Sequence, residues 1–113
     1  MAHGDVVWVE LPAPDRSGHE QIGRRPALVV QDNSPDTPTL LVIPFTAQMA
    51  AARFPYTIQV EPSRYNGLSQ TSILLVFQLR AIDRYRIRDR IGQLESNYQA
   101  VVDKVLRELL KLA

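Results

Sequence analysis

The chain has no cysteine. That excludes disulfides, thiol nucleophiles and cysteine-based zinc sites, and it fits a reducing cytoplasm. Histidine is scarce as well: only His3, expected to be a mobile terminal residue, and His19. Two imidazoles that far apart make no ligand cluster, so neither a metal nor another cofactor is expected. Charge of one sign is missing, with 13 basic against 12 acidic residues and a net charge of +1. Any contact with a polyanion must therefore come from local arrangement. Long hydrophobic runs are absent too. The longest, residues 40–47 and 73–77, are far too short to span a membrane. The start carries Asp5 and no basic segment, so it does not read as a secretion signal. What is present is a 45% hydrophobic composition over 113 residues. That suits one domain, 1–113, with a real core.

Turn chemistry cuts the chain into short apolar runs. Residues 5–11 read as a first strand, 12–23 as a loop rich in Pro, Asp, Ser and Gly, and 27–31 as a second strand. Residues 32–38 are a turn. Residues 39–43 form a third strand closed by Pro44. Residues 46–55 read as a loop whose alanine-rich centre can form a helical turn. Residues 56–60 are a fourth strand, 62–67 a short turn ended by Asn66-Gly67, and 72–78 a fifth strand buried on both faces. Residues 80–87 and 90–94 read as further strands. The end differs. Ser96 with Gln99 three residues on fits a capping box. Tyr98, Val101, Val102, Val105, Leu109 and Leu112 then recur at helical spacing, which predicts a core-facing helix. The pattern is mainly β with a C-terminal α-helix. It fits a small SH3-like β-barrel with little room for an internal cavity, so function belongs to the outer surface and its loops.

The densest chemistry lies in Gly18-His19-Glu20-Gln21-Ile22-Gly23-Arg24-Arg25-Pro26, between two apolar strands. Pro26 biases Arg25 towards an extended backbone at a strand entrance. Arg25 there is either an anion clamp for a phosphate or a solvated partner of Glu20. Thr46 follows Pro44-Phe45. Its hydroxyl is either a turn hydrogen bond or, if the second and third strands are neighbours, a group at the same end as Arg25. His19 can act as acid or base near neutral pH. Arg80, Arg84, Arg86, Arg88 and Arg90, broken by Asp83 and Asp89, can track a phosphate backbone. A solvated edge strand accounts for them better.

Together these segments resemble the MazF/PemK family of toxin endoribonucleases, over nearly the whole chain. The resemblance rests on Gly4-Asp5-Val6-Val7-Trp8-Val9, Gly18-His19-Glu20-Gln21, Gly23-Arg24-Arg25-Pro26, Pro44-Phe45-Thr46-Ala47-Gln48, Gln78-Leu79-Arg80-Ala81-Ile82-Asp83 and the closing helix. It implies the barrel fold of the CcdB, MazF and PemK toxins, a homodimer, a cytoplasmic location, and metal-independent, sequence-specific cleavage of single-stranded RNA. It implies attack by the ribose 2′-hydroxyl, giving a 2′,3′-cyclic phosphate and a 5′-hydroxyl, and a cognate MazE-like antitoxin that blocks the RNA groove. It places Arg25 and Thr46 as the catalytic pair and Glu20 as a further activity-linked carboxylate. Gln21, Arg24, Gln48, Arg53, Gln78 and Arg80 are the expected substrate-binding residues.

One departure bears on mechanism. The PemK branch carries an Arg and an Asp where this chain has Leu75 and Phe77, while His19 matches that branch's histidine. The chemistry is therefore assigned to Arg25 and Thr46. A guanidinium is a poor base, so Glu20 or His19 is the candidate to accept the 2′-proton. Alternatives to a nuclease are a non-enzymatic toxin that binds a protein such as DNA gyrase, as CcdB does, and a small RNA-binding barrel. Fold by itself does not separate them.

Overall fold

The computed structural model describes residues 2–12, 23–30 and 37–112. It is built from β1 (Asp5–Leu11), β2 (Gly23–Val29), β3 (Thr39–Thr46), a 3-10 turn (Met49–Arg53), β4 (Thr57–Val60), β5 (Ser72–Leu75), a 3-10 turn (Val76–Gln78), β6 (Arg80–Asp83), a 3-10 turn (Arg84–Arg86), β7 (Ile87–Gln93) and α1 (Ser96–Leu110). The seven strands run in the order β4-β5-β3-β2-β1-β7, with β6 also on β3. Every pairing is antiparallel. Among the described residues β4 and β7, at the two ends, are not paired with each other, so the sheet is not closed. The expected barrel is thus an open sheet in its hydrogen bonding. Pro55 and Pro62 bracket β4 and limit its ladder. The helix packs against β4 and the 76–78 turn instead.

The strands at the centre are buried on both faces. One face carries Val6, Leu28, Ile43, Phe45 and Leu74, joined by Leu94 and Val102 under the helix. The other carries Val7, Val9, Leu11, Ala27, Val29, Val42 and Ile82. Each of these side chains except Ala27 contributes roughly 1.5–3 kcal/mol on burial.

Several elements differ from the reading of the sequence. β2 begins at Gly23 rather than Ala27, because β1 pairs with it as far as Leu11↔Gly23. β3 runs through Pro44 to Thr46. Proline is tolerated there because β3 faces the 76–78 interruption between its pairings with β6 and β5, where no ladder donor is needed. The fifth strand stops at Leu75 and becomes that 3-10 turn. The next strand stops at Asp83, and the 84–86 turn separates it from β7. The helix lacks a capping box: Glu95 is its N-cap and makes no side-chain cap bond. Its carboxylate accepts instead from Ser63 Oγ at 3.0 Å and Asn66 Nδ2 at 3.1 Å. Gln99 Nε2 turns to the Leu94 carbonyl, 2.6 Å away. The core-facing helical stripe is the buried Val102 with the half-buried Tyr98, Val105, Leu106 and Leu109. Val101 and Leu112 are 43% and 62% exposed and are not core. His3 is not loose: its Nδ1 is hydrogen-bonded with the carbonyl oxygen of Val30. No helix among the described residues is long and apolar enough to cross a membrane.

Candidate functional site

Antiparallel pairing brings two of the four catalytic candidates, Arg25 and Thr46, to one end of the sheet. Trp8 stands opposite Pro26, Val9 opposite Arg25 and Glu10 opposite Arg24. β2 and β3 pair with Ala27 opposite Pro44. The ladder ends there, and Arg25 and Thr46 each lie two residues beyond it on their own strands. Both residues line a single open cleft of about 220 Å³, whose walls include Trp8, Arg24, Phe45, Leu68 and Gln70. Arg25 is half-buried and Arg24 exposed. The Arg24 guanidinium carbon lies 5.2 Å from the centre of the Trp8 ring system, a cation–π contact. Thr46 is 3% exposed. Its Oγ1 accepts the backbone N–H of Gln48 at 3.2 Å. A hydroxyl whose lone pair is used this way keeps its proton for an oxygen presented from the cleft. The hydroxyl therefore makes the expected turn bond, in a residue that shares the cleft lining with Arg25.

The opposite wall was not foreseen. Gly67, Leu68, Ser69 and Gln70 form it, with Ser72 and Ile91. Asn66, fully buried, holds this loop in place. Its Oδ1 accepts from the N–H groups of Ser63 and Leu68 at 3.1 and 3.0 Å. Its Nδ2 donates to the Glu61 carbonyl at 2.9 Å and to Glu95. Gly67 takes φ +72, and a Cβ there would lie 1.9 Å from the Ile91 carbonyl oxygen. Trp8 was also overlooked, although it is the single tryptophan and alternates with the buried Val7 and Val9. That alternation marks it as the exception on its strand.

The remaining candidates divide. Gln48 is exposed and adjoins Thr46. Arg53 ends the 49–53 turn, with Gln78 and Arg80 half-buried at the junction of the 76–78 turn and β6. None of these residues is a wall of the cleft. His19, Glu20 and Gln21 lie outside the described residues. Of the positions where the PemK branch differs, Leu75 is 1% exposed and belongs to the core. Phe77 packs on Phe54, ring centres 5.5 Å apart. Both are apolar and offer no acid–base chemistry.

The arginine-rich segment is largely engaged within the fold. Arg84 donates to Thr37, Arg86 lies over the Tyr85 ring, Arg88 donates to the Tyr85 carbonyl and Arg90 pairs with Asp5 at 3.0 Å. Glu61 is held below the usual carboxylate range by hydrogen bonds from Gln59 Nε2 and Thr71 Oγ1. It lies away from the cleft walls. Among the described residues no three His, Asp or Glu side chains gather as a candidate metal site.

Residues 2–110 match the model of the PemK-like, MazF-like toxins of type II toxin-antitoxin systems. The chain belongs to this family. Endoribonuclease EndoA of Bacillus subtilis (strain 168) is 35% identical over 114 residues, covering 99% of this chain and 96% of that protein. The crystal structure of MazF (Form-I) from Deinococcus radiodurans superposes with a TM-score of 0.77 at 27% identity, covering 98% of this chain and 96% of that one. MazE-MazF (Form-II) from the same organism gives 0.73 at 28% identity, with 100% and 97% covered. The toxin fold expected from the sequence is therefore the one observed, and the gyrase-binding alternative is not favoured.

Proposed function

We propose that this toxin is a metal-independent, sequence-specific endoribonuclease that cuts single-stranded mRNA. The observation that carries the reading is that Arg25 and Thr46 line one cleft together with Trp8 and Arg24. A scissile phosphate seated there meets a planar cation on one side and a hydroxyl donor on the other. The ribose 2′-oxygen bonds to phosphorus, and the bond from phosphorus to the 5′-oxygen breaks. The 2′-proton passes to Glu20 or His19, and the departing 5′-oxygen takes up a proton. Arg25 and the Thr46 hydroxyl stabilise the charge that builds on the phosphoryl oxygens. The products are a 2′,3′-cyclic phosphate and a 5′-hydroxyl. Dependence on the 2′-hydroxyl restricts the reaction to RNA.

The remaining roles follow from the same reading. Arg24, Gln21, Gln48, Gln78 and Arg80 contact the RNA around the scissile group. The toxin acts as one domain, 1–113, in a cytoplasmic homodimer, and a MazE-like antitoxin neutralises it. The test is incubation of the pure protein with a long RNA in EDTA, followed by end analysis of the fragments. Cleavage at full rate with cyclic-phosphate ends supports the reading. Activity that disappears on chelation and returns with a divalent metal overturns its metal-independent mechanism.

A further inference from the structure

Beyond the cleft, at the far end of the loop that leaves Thr46, lie Arg53, Phe54 and Phe77. Arg53 is exposed, yet its side chain is held in place. Nη1 donates to the Ala50 carbonyl at 3.2 Å, and the guanidinium carbon sits 4.4 Å from the centre of the Phe54 ring. Among the described residues Arg53 makes no ion pair. Phe54 in turn meets Phe77, with ring planes tilted by 57°.

Two backbone features create this stack. The 76–78 turn breaks the register between β6 and β5 along β3 and puts Phe77 at the break. The Phe77 N–H then donates to the Tyr56 carbonyl at 3.3 Å. Tyr56, directly after Pro55, takes φ +59, a left-handed conformation that bulky residues rarely adopt. Such strain persists where the surroundings over-determine it, and it clusters at segments that clamp ligands.

We propose that Arg53, seated on Phe54, which Phe77 backs, is a stacking platform for one unpaired base of the substrate and helps select the cleavage site. This rests on the endoribonuclease reading above. A guanidinium plane packed on one face by an aromatic ring offers its other face to a base. Its charge, not neutralised by a carboxylate among the described residues, favours the adjoining phosphate. Ile73 pairs with Thr46, and four residues of chain lead from it to Phe77. That spans at most about 13 Å. The base concerned therefore lies within a few nucleotides of the cut.

The test begins by mapping wild-type cuts on a long RNA through sequencing of fragment 5′ ends. An oligonucleotide spanning one cut is then made with an abasic nucleotide at each position in turn. One position near the cut is expected to raise KM about tenfold when its base is missing. In Arg53→Ala the same omission has no further effect. Arg53→Lys keeps the charge, loses the plane and behaves like the alanine variant. Phe77→Leu keeps apolar bulk, loses the ring and weakens sensitivity at the same position. Thermal melts of each variant separate loss of contact from loss of fold. If Arg53→Ala stays as sensitive as wild type at every position, or Arg53→Lys restores wild-type behaviour, the platform is wrong. If the wild-type protein cuts no RNA at all, the nuclease reading itself fails, and the platform with it.

Discussion

In the proposed mechanism Thr46 serves both fold and chemistry. Its hydroxyl accepts the Gln48 N–H from a buried position, so Thr46→Val removes a bond as well as a donor. We expect a stability loss of about 1–2 kcal/mol and a much larger fractional loss of RNA cleavage. Thr46→Ser, which keeps the hydroxyl, should recover most of the activity. Equal activity in the valine and serine variants would remove Thr46 from the mechanism. Arg25→Ala tests the opposite side of the phosphate. Losing one transition-state charge contact lowers the rate by on the order of a hundredfold or more, while thermal melting should still show a folded protein. Arg25→Lys keeps the charge and loses the fork, and should recover only part of the loss. Both candidates come from the sequence, Arg25 from its place before Pro26 and Thr46 from its place after Pro44-Phe45. Asn66 was legible only as a turn residue. Its burial and its bonds to Glu61, Ser63, Leu68 and Glu95 come from elements far apart in the chain. Asn66→Asp is nearly isosteric, yet it points an acceptor at the Glu61 carbonyl and the Glu95 carboxylate. Equilibrium denaturation should show a loss of about 2–3 kcal/mol.

At the scale of the element, α1 and the 67–70 loop make opposite predictions. The helix ends with Lys111 at φ +56. The Leu112 N–H reaches the Arg107 carbonyl at 2.9 Å and the Lys111 N–H reaches Glu108 at 3.3 Å, a Schellman closure. Glycine enters that conformation without a steric penalty, so Lys111→Gly should stabilise the fold by about 0.5–1 kcal/mol with cleavage unchanged. Gly67 has no such latitude. A methyl group there drives into the Ile91 backbone, and Gly67→Ala should destabilise by about 2 kcal/mol or more. Because Gly67 lines the cleft, cleavage should fall as well; a full-rate enzyme would show that this wall does not touch RNA. The positions of the strands could be read from turn residues and alternation. The 76–78 interruption could not, because Val76 and Phe77 continue an apolar run that any strand would accept. Only the differing registers of β5 and β6 on β3 reveal it.

For the molecule as a whole, the proposed dimer and antitoxin give physical tests. Pairing two copies lengthens a groove that one small sheet supplies only in part. Sedimentation at micromolar concentration should show a species near twice 12.8 kDa; a monomer alone would remove the dimer. An acidic, partly disordered antitoxin that folds across the basic cleft should compete with an uncleavable RNA analogue. A ternary complex with full affinity for both would separate the two sites. Stability should also respond to acid through Glu61, whose folded pKa lies below the ordinary 4.5. A lowered carboxylate contributes stability above its unfolded value and loses that contribution as pH falls through the folded one. The melting advantage of wild type over Glu61→Gln should therefore shrink as pH is lowered below about 4.5. A pH-independent difference would dissociate Glu61 from that response.

The sequence by itself determined the order of strands and helix, the family, and the chemical types concentrated around Arg25 and Thr46. These depend on local pattern: turn residues, alternation and short motifs act over a few neighbours. The tertiary structure decided what distant segments do together. Only strand pairing could bring Arg25 and Thr46 to one cleft, because register is a relation between segments far apart in sequence. Only packing could draw Glu95 away from the helix cap to serve Asn66, and leave Val101 outside the core beside a buried Val102. The open ends of the sheet have the same origin. Whether β4 meets β7 depends on where the helix settles, and no local pattern in either strand carries that information.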